Sequence, residues 1–431
     1  MILKRNAFLI LCVLMILLSL LRCNIIKKNS CRVPDSGICR GYIYKSTWNK
    51  QGQYIVKTEQ GNVLLTIYGN INNEIDNLAS GGADVVVNKS ITVLLDNSYG
   101  DYLRSKGIQY ILNASINDVE LGKEKYNIKS LFAKARVYIR STLLRVMPEQ
   151  NTFTALAVMT GANSEMDENI SEQYRTAGIL HVTAVSGMHV NIMMKPVNIL
   201  IKRKYLGYKG RTICRIVAAI IFMILTDFSH SVVRAVLMFI YIQIGKLCDR
   251  QATFANSIYF AAIIQLICNP FVIYSVGFVL SYSAVLSICY IVPVIPIRRK
   301  SLNGIRSGIG VNIGMMPLLM YYFGEISLIA IVINGIAGFL SGGICITGYA
   351  CCLLMAIPVV SYIGKFIGYI CVFFTTILNK CAYMASWLPA PIGNMNVKIK
   401  NVWILIGIYT VLIVVILLQR KRTIVLQTKF N

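Results

Sequence analysis

His181, Thr183, Ser186 and His189 fall within ten residues, HVTAVSGMHV (181–190). The stretch has no acidic residue and is flanked by apolar AGIL and NIMM. Two imidazoles and two hydroxyls at this spacing can exchange hydrogen bonds, carry a proton, or pair as nucleophile and base. Read as one helix, His181 and His189 stand about 80° apart around the axis, with Ser186 near the same arc. Polar groups at membrane depth must face a bundle interior or a water-filled cavity, because lipid offers them no partner. Two readings follow: side chains bonding neighbouring helices, or one wall of a functional cavity.

Arg234 poses the same question in HSVVRAVLMFIYIQIG (230–245). A cation there needs water or a partner. His230 precedes it by four residues on the same helical face, and Asp227 is a candidate counter-ion. A headgroup contact at the interface is the alternative. NPFVIYSVGFVLSYSAV (269–285) sets Asn269, Pro270, Gly277 and Ser281 into apolar sequence and predicts a broken or re-entrant helix. VINGIAGFLSGG (332–343), with Asn334, predicts the same. The candidates to line a pathway are therefore His181, Ser186, His189, His230, Arg234, Ser281 and Asn334.

The elements that position them are membrane helices. The 431-residue chain is 56% hydrophobic, and apolar runs such as VWILIGIYTVLIVVILL (402–418) are long enough for a hydrocarbon core of about 30 Å. The expected spans are 178–200, 212–228, 231–247, 252–268, 276–296, 307–323, 343–359, 362–386 and 401–419, with 326–340 as a half-helix. The basic loops 202–211, 298–300 and 420–422 then fall on one side, the cytoplasmic one. The opening segment, residues 1–24, has a basic start and an apolar run from Ala7 to Leu21 without a small-x-small cleavage site. It reads as an uncleaved first membrane helix.

Residues 25–125 differ. GICRGYIYKSTW, GQYIVKTEQGNVLLTIYG and GGADVVVNKSITVLL alternate apolar with polar and break at Gly and Asn. About five strands predict a small extracytoplasmic β-barrel, the OB-fold being one candidate. Tyr42, Tyr44, Trp48 and Tyr54 would offer faces for base stacking, with Arg40, Lys45 and Lys57 beside them for phosphates; the alternative is that these rings are barrel core. Cys31 and Cys39 are candidates for a disulfide if this segment lies outside the cytoplasm. Residues 126–150 hold a basic amphipathic helix, with Leu131, Val137, Leu143 and Leu144 on one face, suited to a membrane surface or to packing in protein. Residues 151–431 form the main helical domain. The fold class is thus a polytopic α-helical membrane protein with a small β domain near its N-terminus.

The formal net charge of +25 fits positive-inside loops, and equally attraction of a polyanion. Most of the 13 cysteines sit in apolar runs and no pair has zinc-ligand spacing, so neither metal nor cofactor is expected. No GxxxxGK[ST] motif is present, so energy for any transport must come from a partner or a gradient.

An ordered series of segments resembles the ComEC family of competence proteins over nearly the whole chain. It comprises ALAVMTG (155–161), EQYRTAGILHVTAVSGMHV (172–190), SVVRAVLM (231–238), RQATFANSIYFAAIIQLICNP (250–270), GFVLSYSAV (277–285) and MPLLMYYFGEISLIAIVINGIAG (316–338). DNSYGDYLRSKGIQY (96–110) resembles the end of the family's OB-like domain. Val182, Thr183 and Met188 depart mildly from the usual leucine-rich block around the Ser-Gly pair.

The resemblance implies a channel, not an enzyme, for single-stranded DNA crossing the cytoplasmic membrane in natural transformation. It implies as partners a DNA receptor, a separate nuclease and a cytoplasmic motor ATPase, with homo-oligomerisation open. Many members carry a C-terminal metallo-β-lactamase-like domain; this chain ends at Asn431 without an HxHxDH run, so no hydrolytic metal site is expected. Two other functions stay open: a transporter of a small anionic or lipid-linked substrate, and an intramembrane hydrolase using Ser186 with His189 or His230.

Overall fold

The computed structural model describes residues 2–29, 38–44, 52–59, 61–68, 82–89, 91–94, 96–124, 128–200, 207–250, 252–297, 302–327, 329–389, 394–399 and 401–429. They form two compact units, one of residues 1–167, 183–275 and 342–375, the other of 168–182, 276–341 and 376–431.

The first unit opens with helix α1 (Ile2–Asn29). A seven-stranded sheet follows, in the order β5-β6-β3-β2-β1-β4-β7: β1 is Cys39–Tyr44, β2 Gln53–Thr58, β3 Gly61–Tyr68, β4 Ala83–Val87, β5 Thr92–Val93, β6 Tyr110–Ser115 and β7 Val119–Glu124. All neighbours are antiparallel except β3 and β6. The order leaves β5 and β7 as its two ends, so a half-barrel sheet stands where a barrel of about five strands is expected. Strand side chains alternate faces, and here both faces are buried. Ile43, Tyr54, Val56, Val63 and Leu65 fill one side. Tyr42, Tyr44, Ile55 and Leu64 fill the other, against Leu103 and Ile108.

Leu103 belongs to helix α2 (Ser98–Ser105). Asn97 starts that helix by accepting the Gly100 N–H on its side-chain oxygen at 2.7 Å. Helix α3 (Ile128–Val146) occupies the predicted amphipathic segment but turns a different face inward. Ser130, Ala133, Ile139, Thr142 and Leu143 are buried, while Leu131 is 65% exposed. The expected Leu131–Val137–Leu143–Leu144 face is therefore not a single surface. The helix packs in protein, against α4 (Glu149–Thr160) and α7 (Tyr208–Leu225), and Tyr138 donates its hydroxyl to the Cys352 carbonyl at 3.1 Å.

The remaining helices of this unit are α6 (Gly187–Leu200), α8 (His230–Leu247) and α9 (Phe254–Cys268), followed by a 3-10 turn over Pro270–Tyr274. The second unit holds α5 (Glu168–Thr176), α10 (Val276–Tyr290), α11 (Asn303–Tyr322), a strand pair β8 (Glu325–Ser327) and β9 (Asn394–Asn396), and α14 (Val402–Lys429). Helices α12 (Ala330–Met355) and α13 (Ser361–Ser386) give residues to both units. Among the described residues, five segments are long and apolar enough to cross a membrane: 10–27, 230–247, 276–294, 332–355 and 358–386.

Two expectations are corrected here. The half-helix at 326–340 and the span at 343–359 are one continuous helix, α12. Its glycines serve close packing instead of a break: a Cβ on Gly343 would lie 3.0 Å from the Phe374 ring, and one on Gly342 3.2 Å from Ile192. The expected span 178–200 is not one helix. Gly178 follows the end of α5 at φ +72°, residues 180–182 make a 3-10 turn, and α6 starts only at Gly187. A Cβ on Gly178 would meet the Ala330 Cβ at 2.8 Å and the Ser327 Cβ at 2.9 Å. Gly178→Ala adds left-handed strain of about 1 kcal/mol to an overpacking cost of about 1–3 kcal/mol. The expected outcome is a lower melting temperature of the detergent-solubilised chain, with Gly207→Ala, at an open position, as the control.

Candidate functional site

His189 is fully buried at the start of α6. Its Nδ1 accepts the Ser186 backbone N–H at 3.0 Å and lies 3.1 Å from Ser186 Oγ. Ser186 precedes the first helical residue and His189 is the third, so the imidazole makes the back-bond of a capping box in place of the usual carboxamide or carboxylate, while the His189 N–H donates to the Ser186 carbonyl at 3.0 Å. The accepting Nδ1 leaves the proton on Nε2, which is buried without a hydrogen-bond partner among the described residues. One ring nitrogen serving the Ser186 N–H and facing its hydroxyl closes a helix end.

The start of α6 lies against α8: a Cβ on Gly187 would come within 3.3 Å of the Ala235 Cβ. Arg234, the residue before Ala235, is 6% exposed. His230, half-buried, begins α8, and its carbonyl accepts from Gln265 Nε2 at 3.0 Å. Ser186, His189, His230 and Arg234 thus share one unit and two packed helices. The others belong elsewhere. His181 is exposed in its 3-10 turn, Ser281 is half-buried on α10, and Asn334 is half-buried on α12, all in the second unit. The single-helix geometry assumed for His181 and His189 does not exist.

Asp227 sits with Phe228 in the turn between α7 and α8, both at positive φ, +52° and +53°. Its charge acts on three side chains outside the apolar helices. Burial lowers the pKa of Lys106 and Arg136, and Asp227 opposes that shift in both. Burial and the same carboxylate hold the Tyr44 hydroxyl well above the usual tyrosine range.

Tyr42 and Tyr44 are 8% and 7% exposed, their rings stacked at 6.0 Å, and Tyr54 is fully buried. These rings are sheet core and offer no face to a base. Arg40 and Lys57 are exposed on β1 and β2. Lys45, Trp48 and Cys31 lie outside the described residues. Cys39 is buried in the sheet, and burial raises its thiol pKa.

A polar cluster that sequence reasoning missed joins the sheet domain to the apolar helices within the first unit. Lys27, near the end of α1, contacts Asp101 on α2 at 2.6 Å. Arg104 reaches Asp101 at 3.2 Å, Asp96 at 2.9 Å and the Leu94 carbonyl at 3.1 Å. Asn269, where the chain breaks after α9, donates to the Arg104 and Ser105 carbonyls, both at 3.0 Å. Those are carbonyls from the last turn of α2; the Arg104 carbonyl also accepts from the Gly107 N–H at 2.9 Å. Phe271 and Tyr274 lie under Arg104 and Lys27, at 5.8 and 5.2 Å from the ring centroids. The predicted break at Asn269–Pro270 is therefore real, but it serves docking of α2. The available signal was the i,i+3 pair Asp101–Arg104 in a short, otherwise uncharged helix. Among the described residues, no group of three or more His, Cys, Asp or Glu side chains is arranged to hold a metal ion.

A family model described as Competence protein matches residues 158–422. ComE operon protein 3 of Bacillus subtilis (strain 168) is 24% identical over 237 residues, covering 55% of this chain and 30% of that protein. The match thus spans less than a third of that relative's length. No solved structure matches.

Proposed function

The chain belongs to the competence protein family, and from that premise we propose that it acts in competence DNA uptake as the path by which single-stranded DNA crosses the cytoplasmic membrane. The observation that carries the reading is the family match over residues 158–422, which contains Ser186, His189, His230 and Arg234. A strand with one phosphate per nucleotide cannot enter hydrocarbon. It needs a hydrated path with few fixed cations, because many would trap it. Arg234, buried on a helix apolar enough to span a membrane, suits such a contact.

In this reading the half-barrel sheet is extracytoplasmic and the C-terminus cytoplasmic. The exposed rings Tyr383, Trp387 and Trp403, at the end of α13 and the start of α14, mark one membrane interface. A DNA receptor, a separate nuclease and a motor ATPase would be the partners.

The test is transformation frequency of competent host cells carrying Arg234→Ala at matched membrane level. Loss of one charge-assisted contact, about 1.5–3 kcal/mol, predicts a fall of about tenfold to a hundredfold with surface DNA binding unchanged. Normal transformation would move the small-anion transporter reading ahead.

A further inference from the structure

Helices α6, α7 and α8 carry no carboxylate in their sequences, yet α7 places Arg211 and Arg215 four residues apart near its start. Thr212, Ala219 and Phe222 of α7 are buried, whereas Ile213, Val217 and Ile221 are exposed. At about 100° per residue, Arg215 lies within about 60° of the three buried side chains and more than about 100° from the three exposed ones. Arg211 stands about 40° round from it, one turn nearer the start. The arginines therefore share the face on which the Phe222 ring meets Tyr349 of α12 edge-on, with centroids 6.4 Å apart. Both arginines are half-buried. The Nε atom of each is shut off from solvent without a hydrogen-bond partner, and neither guanidinium makes an ion pair among the described residues. A cation turned inward in such a bundle needs water or an anion, and these three helices supply no anion.

Helices α7 and α8 pack as an antiparallel pair joined by the turn that holds Asp227. At about 1.5 Å per residue, Arg234 stands about 6 Å from that turn, Arg215 about 15 Å and Arg211 about 21 Å. Gln265 ties the start of α8 to α9, and Asn269 at the end of α9 holds the sheet domain. The sheet domain thus lies at the Arg234 end. The two α7 arginines lie at the opposite end, where Lys209 and Lys246 are exposed. Asp249, just past α8, is exposed and makes no ion pair among the described residues.

We propose that Arg211 and Arg215 bind neighbouring backbone phosphates of a single-stranded nucleic acid as it leaves the α7–α8 pair at the end remote from the sheet domain. The inference rests on the uptake reading and adds to it an exit station beyond Arg234. Steps of about 9 and 6 Å along the pair match about two or three phosphates of a stacked strand, at about 3.4 Å each. A planar guanidinium presents paired donors that fit phosphate oxygens. A few such groups, well separated, hold a strand without trapping it, as conduction demands. The competing occupant is the headgroup of an anionic lipid, which cationic helix ends attract. The inward bearing of both arginines, away from the exposed Ile213–Val217–Ile221 stripe, favours the strand.

The test compares Arg211→Gln/Arg215→Gln with Arg211→Lys/Arg215→Lys in the full chain. In competent host cells at matched membrane level, the Gln pair is expected to lower transformation at least about tenfold, the size of one lost charge-assisted contact, with surface DNA binding unchanged. The Lys pair keeps the charge and recovers part of the loss. In phosphatidylcholine nanodiscs the Gln pair flattens the dependence of log affinity for oligothymidylate on log salt by about 1.4, two phosphate contacts. Its melting temperature there does not fall, because no native partner is lost. A lower melting temperature in phosphatidylcholine would make the arginines structural and overturn the site. A melting temperature below wild type only in phosphatidylglycerol nanodiscs overturns it too, by assigning the arginines to lipid. Normal transformation by the Gln pair, with Arg234→Ala defective, overturns this site and leaves the uptake reading standing. Normal transformation by both variants overturns the site and the uptake reading together.

Discussion

Asp101→Ala is expected to lower stability by about 3–5 kcal/mol. Asp101 lies between two cations, Lys27 at 2.6 Å and Arg104 at 3.2 Å, whose side chains are only 21% and 7% exposed. Removing the carboxylate leaves both half-desolvated, facing each other across its place, with Asp96 remaining at the solvent edge. An exposed ion pair would lose at most about 1 kcal/mol; burial makes the difference. Asp101→Asn keeps hydrogen-bond acceptance without charge and should fall between the two.

Two measurements check it. Limited proteolysis should cut the segment 91–124 of the Ala variant while wild type resists. A double-mutant cycle with Lys27→Met should give a combined loss smaller than the sum, because deleting the cation relieves the charge that deleting the carboxylate strands. Additive losses would mean that the two side chains are adjacent without coupling. The α2 backbone remains tied through Asn269 in all these variants, so the ion pair is tested apart from the helix cap.

Much of the architecture was legible because it is set by periods. The amphipathic stretch 127–147 is helix α3 at 128–146, and the alternating stretches are strands. What period cannot tell is which face has a neighbour. Tyr42 and Tyr44 share a face by alternation. Their burial depends on α2, some sixty residues later, covering that face. Glycine is ambiguous for the same reason. In 332–343 it looks like a break, yet Gly342 and Gly343 let Ile192 and Phe374 approach the backbone of an unbroken helix. At Gly178 a positive φ does end the local order. The error over His181 and His189 was of another kind. Ser186 with a hydrogen-bonding residue three later is a helix-start signal, and apolar flanks masked it.

The same two residues give the second large effect. His189→Ala removes the acceptor of the Ser186 N–H and empties a fully buried position. An orphaned buried donor costs about 1–3 kcal/mol, and the lost packing adds about 2 kcal/mol or more. His189→Gln should recover part of this, since a carboxamide three residues past the cap is the ordinary capping-box acceptor. Stability and transport then separate. If the imidazole only closes the helix end, Gln restores both melting temperature and transformation frequency. If its buried Nε2 meets the strand or a proton on the path, Gln restores the melting temperature and transformation stays low. Gly187 sharpens the comparison, because Gly187→Ala presses α6 against Ala235 at 3.3 Å without touching the imidazole. A fall in transformation there, with His189 intact, would place the sensitivity in the approach of α6 to α8, next to Arg234, and not in the ring itself.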